Sequence, residues 1–365
     1  MVAALLEKMR QHPLRCIPFR DYMEICLYHE PHGYYRNDKP KLGKEGDFYT
    51  SASIGSLMGE ILGSYAAKQW RKEPCPPGCL GLTEWGGGDG KLAAAILGEL
   101  ELCAPELYGH LTYTIIESSG YHRRLQRETL QAHSLKLRFA TEEEWFAETP
   151  HPGEIVLANE LLDAFPVHRI RRSGSGLQEN YVSWNDTEQS FQEEWFPVQG
   201  GPIVAYIERQ DIQLADGQMA EINLAADEWM MRVGQRLADG QLIVIDYGDR
   251  AEELYGSHRM KGTLLCYRQH QAYDNPYVHQ GGQDITSHVN FTACMSAGLK
   301  GGFEDARLQT QREFLVEQGI LQRLQDHADP NPFSEAARKN RAIRQLLLSD
   351  QMSELFKVLV LMKKR

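Results

Sequence analysis

Long apolar runs are missing from this 365-residue sequence. No segment approaches the ~18 uninterrupted apolar residues that a helix needs to cross a bilayer. The N-terminal MVAALLEKMRQHPLRC is broken by Glu7 and Lys8 and has no small-residue cleavage site, so it does not read as a transit peptide. A soluble cytoplasmic protein without a membrane partner is expected. A basic excess is missing as well: 39 Lys and Arg stand against 50 Asp and Glu, for a net charge of -11. Neutralising phosphates takes clustered cations, so nucleic acid is not the expected partner and a cationic peptide suits the charge better. Paired cysteines are missing too. The seven that occur are an odd number scattered through a chain too long to depend on disulfides. Only Cys75 and Cys79 stand close together, without the His or second Cys pair of a zinc site, and no metal is expected.

What is present is a packed globular composition, 42% hydrophobic, long enough for one large domain or two of ordinary size. Up to about Trp70 the pattern is helical with a Gly- and Tyr-rich loop, and Ile54, Leu57, Met58, Ile61, Leu62, Tyr65 and Ala66 repeat at helical steps. From Gly81 the runs GLTEW, LTYTIIE, GEIVLANE and QLIVIDYG read as strands. KLAAAILGELEL and YHRRLQRETLQAH read as the helices that follow the first two. Such alternation predicts a parallel, doubly wound sheet, which binds ligands beyond the C-terminal ends of its strands. A stretch from 167 to 235 is too long for a loop and reads as an inserted subdomain. FEDARLQTQ and LFKVLVLMKK read as late strands that finish the sheet. The expected divisions are 1–75 as an N-terminal cap, 76–166 and 236–365 as two parts of one core, and 167–235 as the insertion.

The stretch LTEWGGGDGKLA carries the first chemistry. A phosphate-binding P-loop ending at Gly90-Lys91 needs glycine at position 85, which is Trp85, and Ser or Thr at 92, which is Leu92. A dinucleotide fingerprint starting at Gly86 and Gly88 needs a third glycine where Lys91 stands. What remains is Glu84, an acid closing a strand, with Gly86, Gly88 and Gly90 at alternate positions. That pattern resembles motif I of the class I methyltransferases that use S-adenosylmethionine. Glycine lets backbone approach the ligand, carboxylates accept from ammonium and hydroxyl groups, and a cofactor without phosphates does not call for a basic loop. Glu117, at the end of the second run and 27 positions beyond Gly90, is placed to hold a ribose.

The third run narrows the resemblance. GEIVLANELLDAFPVHRI, with HGYY, GDFYTS, TEWGGGDG, IIESS, VIDYG, GTLLCYRQH and QDITSHVNF in order, is similar to the MidA-like methyltransferases. That family includes the mitochondrial complex I assembly methyltransferases, and the likeness covers about residues 30 to 320. It implies a Rossmann-like class I methyltransferase sheet with an N-terminal helical cap and an inserted accessory subdomain, and S-adenosylmethionine as cofactor. It also implies an arginine-bearing protein as acceptor. Carried over, Glu84, Gly86, Gly88 and Gly90 would meet the donor and Glu117 its ribose. Gly46, Asp47, Phe48, Thr50 and Ser51 would close over it, and Asn159 and Glu160 would form the transfer site. The sequence departs from the family at Ala52 and Ser53, where Pro and Glu are usual, and at Gly87 and Asp89, where Pro and Arg are frequent. Loss of the acid at 53 bears on the acceptor more than on the donor.

A guanidinium acceptor stays protonated at neutral pH, so carboxylates must localise its charge. Glu160 and Asp163 are the candidate clamp, with Asn159 orienting donor or acceptor. The structural alternative has Asn159 capping a helix and Asp163 pairing with His168 or Arg169. His168, His270, His279 and His288 rank low as bases, and Tyr34 and Tyr35 are expected to pack rather than line an acceptor channel. A small-molecule or nucleobase acceptor is the alternative substrate, although NELL lacks the Pro-Pro-aromatic signal of base methylation. A cofactor-binding assembly factor with little turnover is the alternative class. The oligomeric state is not fixed, and a homodimer is held open.

Overall fold

A computed structural model describes residues 1–38, 41, 56–72, 80–150, 152–174, 176–326, 331, 334–348 and 354–364. The chain gathers into two compact units. The first comprises Met1–Phe48, Leu162–Met230 and Gly248–Ala297, and the second Tyr49–Leu161, Met231–Tyr247 and Gly298–Arg365.

The second unit is the doubly wound one. In chain order it contains α1 (Leu57–Lys72), β1 (Leu80–Trp85), α2 (Lys91–Cys103), β2 (Leu111–Ile116), α3 (Gly120–Thr129), β3 (Leu137–Ala140), α4 (Glu142–Ala147) and β4 (Glu154–Asn159). After these come most of β5 (Gly240–Asp249), then β6 (Asp305–Thr310), α5 (Gln311–Glu317), α6 (Glu335–Leu348) and β7 (Phe356–Lys363). The strand order is β3-β2-β1-β4-β5-β7-β6. Strands β3 to β5 run parallel along the sheet, and β7 lies antiparallel between β5 and β6. The chain moves outward from β1 to β3 and returns to β4 on the other side of β1. The switch point therefore lies at the C-terminal ends of β1 and β4, where a ligand crevice forms in such sheets.

Helices on the faces of this sheet bury both sides of its strands, which is why β1 and β4 read as unbroken runs with little polar alternation. Leu82, Ile115, Ile155, Leu157, Ile243 and Val358 pack with Ile61, Ile96, Leu97 and Leu100 from α1 and α2. The two helices pack closely because Gly59 and Gly63 stand where they meet. A Cβ on Gly59 would sit 2.4 Å from Ala95 Cβ and 2.9 Å from the Leu92 carbonyl oxygen. At the opposite end of the strands from the switch point, Glu154 begins β4 fully buried. It accepts from Thr83 Oγ1 at 2.6 Å, Trp145 Nε1 at 3.0 Å and Arg236 Nη1 at 2.8 Å. A buried charge with three donors is satisfied in place.

The first unit is a five-stranded antiparallel sheet. Its path runs Ile17–Pro18, Gly176–Asn185, His168–Ser173, Met219–Ile222, with Ser190–Val198 forming a hairpin on Gly176–Asn185. A three-stranded sheet, Leu265–Arg268 with Gln271–Tyr273 and Asp284–Thr286, belongs to the same unit. Helices Val2–Gln11 and Phe19–Tyr28 contribute Leu5, Phe19, Tyr22 and Met23 to a core shared with Val167, Val182 and Ile285. The N-terminal helices and residues 167–230 of the expected insertion thus share one unit, while 231–235 and α1 belong to the other. Tyr34 and Tyr35 lie against this core. Tyr35 stacks on Tyr28 at 5.5 Å and donates to both oxygens of Asp284 at 2.9 Å.

Candidate active site

The glycine loop follows β1 directly. Gly86, Gly88 and Gly90 have φ of +67°, +51° and +81°, the left-handed region where a side chain is strained. Alternation of these glycines lets the chain turn from strand to helix in a few residues. The Gly86 amide donates to the Ile116 carbonyl at 3.0 Å, the Gly90 amide donates to that of Gly87 at 2.9 Å, and Gly90 starts α2. The side chain of Asp89 caps the Lys91 amide at 3.2 Å and pairs with Lys91 Nζ at 2.5 Å, so this departure from the family pattern is locally accommodated.

Glu84 lies beneath the loop, 2% exposed, and accepts from Tyr113 Oη at 3.0 Å. Burial pushes its carboxyl up to about 7; the Tyr113 hydrogen bond opposes this, and nearby Glu117 and Asp89 reinforce it. A cationic group brought to this acid would draw it back into the ionised form.

Glu117 follows the end of β2, buried. Its Oε1 accepts from the Ser119 amide at 2.7 Å and its Oε2 from Gln126 Nε2 at 3.2 Å. Gln126 was not singled out by the sequence, yet its side chain also donates to the Gly88 carbonyl at 3.0 Å. The available signal is spacing: His122 and Gln126 are the buried residues of α3 and stand one turn apart, so a polar residue occupies the inward stripe of an otherwise polar helix.

Asn159 and Glu160 lie at the C-terminal end of β4, the other side of the switch point. Asn159 pairs in register with Ile245, and the Glu160 amide donates to the Ile245 carbonyl at 2.8 Å. The Asn159 side-chain amide points toward Glu160 Oε1 at 3.4 Å, and its own Oδ1 is buried without a hydrogen-bond partner. Glu160 has a φ of +52°, rare for an acid with a full side chain and held here by the Ile245 bond and by the next residue. That residue, Leu161, donates its amide to Asp246 Oδ2 at 3.1 Å. Asp246, the acid of VIDYG, is fully buried in β5. It ends its apolar run with an acid, as Glu84 and Glu117 do.

Asp163 belongs to the first unit, buried, with its carbonyl accepting from the Ser287 amide at 3.0 Å. The basic residues proposed as its partners are engaged elsewhere: His168 Nδ1 lies 2.6 Å from Glu179, and Arg169 pairs with Glu193 at 2.7 Å. Gly46, Asp47, Phe48, Thr50 and Ser51 lie outside the described residues. Among the described residues no cluster of metal-ligating side chains occurs, and no helix is long and apolar enough to cross a membrane.

Strand order, a glycine loop at the switch point and acids closing successive strands define a Rossmann-like fold of the class I methyltransferase kind. Residues 61–306 match the family described as "Putative S-adenosyl-L-methionine-dependent methyltransferase", and the chain belongs to that family. A curated relative from Drosophila melanogaster, named protein arginine methyltransferase NDUFAF7 homolog, mitochondrial, is 27% identical and covers 86% of this chain and 72% of its own length. Its Mus musculus counterpart is 25% identical, covering 84% and 72%. A solved structure from Burkholderia thailandensis bound to S-adenosyl-homocysteine is 31% identical, covers 99% of this chain and 92% of that one, and superposes with a TM-score of 0.86. The α/β fold, the enzyme class and S-adenosylmethionine as cofactor therefore stand as expected. The cytoplasmic expectation does not: the matching curated relatives are named as mitochondrial proteins, which overturns it. The residues at the C-terminal ends of β1, β2 and β4 fit such a donor: bare left-handed backbone, a fixed buried carboxylate and a buried amide oxygen without a hydrogen-bond partner.

Proposed function

We propose that this methyltransferase acts on arginine side chains of a protein substrate. The observation that carries the reading is Glu160, a carboxylate held on left-handed backbone beside Asn159 at the end of β4. The names of the curated relatives support the same acceptor. When bound, S-adenosylmethionine supplies a methyl group on a positively charged sulfur. Glu84, Gly86, Gly88 and Gly90 would receive its amino-acid and adenosine portions, and Glu117 would accept from its ribose hydroxyls.

The guanidinium keeps its proton at neutral pH. Glu160 would bind the charge through charge-assisted hydrogen bonds, leaving one nitrogen to face the methyl group. Asn159 Oδ1, buried without a partner, is suited to orient a donor N–H. Catalysis of this kind rests on positioning and exclusion of water.

Incubation with labelled donor and arrayed Arg-containing peptides, followed by mass spectrometry, tests the reading. Methylated arginine is expected, and label only on another acceptor would overturn it. Glu160→Gln should keep donor binding and lose transfer; retained transfer removes Glu160 from the reaction.

A further inference from the structure

The geometry points to Gln126 as a positioning residue for the methyl donor, one that sets Glu117 against the glycine loop. The inference rests on the proposed roles of Glu117 and the loop. Gln126 is fully buried on α3, and its Nε2 donates to two acceptors from different elements: the Gly88 carbonyl at 3.0 Å and Glu117 Oε2 at 3.2 Å. Reversing the amide would set its oxygen against two oxygens, so the orientation is settled by its neighbours.

The surrounding chain is built tightly around this residue. A Cβ on Gly87 would lie 3.2 Å from Gln126 Nε2, and one on Gly90 would lie 3.2 Å from Gln126 Cα. The loop's glycines thus let the chain pass the residue that pins it. Glu117, tied at Oε1 by the Ser119 amide and at Oε2 by Gln126, is held in one rotamer. One side chain thereby fixes the distance between the acid proposed to take the ribose and the backbone that turns under the donor. Gln126 Oε1 is buried without a hydrogen-bond partner, a cost that a purely packing residue would not carry.

The test measures S-adenosylhomocysteine binding by calorimetry for the full-length wild type, Gln126→Met and Gln126→Glu at pH 8 and pH 6, with thermal melts as folding controls. Gln126→Met keeps the volume and removes the donor. Its dissociation constant should rise roughly ten- to a hundredfold, the worth of one charge-assisted hydrogen bond. Gln126→Glu sets two carboxylates together. They share a proton at the lower pH, when the new acid can donate in place of the amide. The ratio of the Glu variant's dissociation constant to that of the Met variant should therefore fall on going from pH 8 to pH 6. Glu84 and His122, whose Nδ1 lies 3.8 Å from Glu117 Oε2, face the same carboxylate in every variant, so the constants are compared at each pH against the wild type. Tight wild-type binding with an unchanged Met variant, or a ratio that does not move with pH, overturns the assignment of Gln126 alone. A wild type that does not bind overturns the donor site itself. If the Met variant does not fold, the pH ratio is taken between the Glu variant and the wild type and decides the matter in the same way.

Discussion

Replacing Glu84 by Gln should make the protein more stable at neutral and alkaline pH while removing its grip on the methyl donor. Glu84 is 2% exposed, and burial raises its carboxyl from an ordinary 4.5 to about 7. Below about pH 4.5 the group is protonated in the folded and the unfolded chain, and its titration costs nothing. As pH rises from there toward 7, the unfolded chain releases the proton and the folded one retains it. Stability is therefore lost through this window and levels off above the folded value. At about 1.36 kcal/mol per unit, a displacement of 2.5 amounts to about 3 kcal/mol at pH 8. The Gln amide has nearly the same shape and an oxygen that can still accept from Tyr113. It carries no charge to bury, so the variant escapes that loss. Urea denaturation of both proteins at pH 5, 6, 7 and 8 gives the measurement. The curves should converge at low pH and separate by about 3 kcal/mol at pH 8. Parallel curves would show that Glu84 is ionised in the folded chain throughout and would refute the reasoning.

Three further perturbations follow from the same geometry. Glu160→Gly should relieve a left-handed residue worth roughly 1–2 kcal/mol, against about 0.5–1 kcal/mol of added backbone entropy. The melting temperature should hold or rise slightly while methyl transfer disappears, and a clear drop in melting temperature would contradict it. Gly88→Val places a branched side chain at φ +51°. Roughly 1–2 kcal/mol of strain should leave the domain folded by circular dichroism but without calorimetric binding of S-adenosylhomocysteine, and wild-type binding would count against the loop. Gly59→Ala gains about 1 kcal/mol of helix propensity but brings a Cβ to 2.4 Å from that of Ala95. Overpacking of about 1–3 kcal/mol should win and lower the urea midpoint, whereas a higher midpoint would show that α1 and α2 separate at little cost.

The parallel strands were readable because burial on both faces writes them as continuous apolar runs, with Glu84, Glu117, Asn159 or Asp246 at or near the C-terminal end of each. β3 escaped because it is short, lies at the edge of the sheet and presents Arg138 among its four residues, so no apolar run marks it. GTLLCYRQH has the composition of a strand, and part of it forms one, but in the small sheet of the first unit. Composition reports that a segment is half-buried without reporting which sheet it joins. The grouping of the N-terminal helices with residues 162–230 depends on contacts between segments far apart in the chain, which periodicity does not encode. At the site, the glycines and acids were visible because their spacing is local. Gln126 was not, because its partners Gly88 and Glu117 converge only once β1 and β2 lie side by side.

The place of β7 bears on how the chain emerges from the ribosome. It is the last strand of the sheet in sequence, yet it lies between β5 and β6, pairing Leu242, Val244 and Thr310 with Leu361, Leu359 and Lys357. At roughly 5–20 residues per second, the stretch from Thr310 to Phe356 takes a few seconds to translate. Over that interval the apolar edge of β5 waits without its partner, whereas every segment around the β1–β4 crevice has already been made. An exposed ladder of this kind invites pairing with another chain. Nascent protein would then be most prone to aggregate late, after the glycine loop and the strand-end acids have been made and before the sheet is filled.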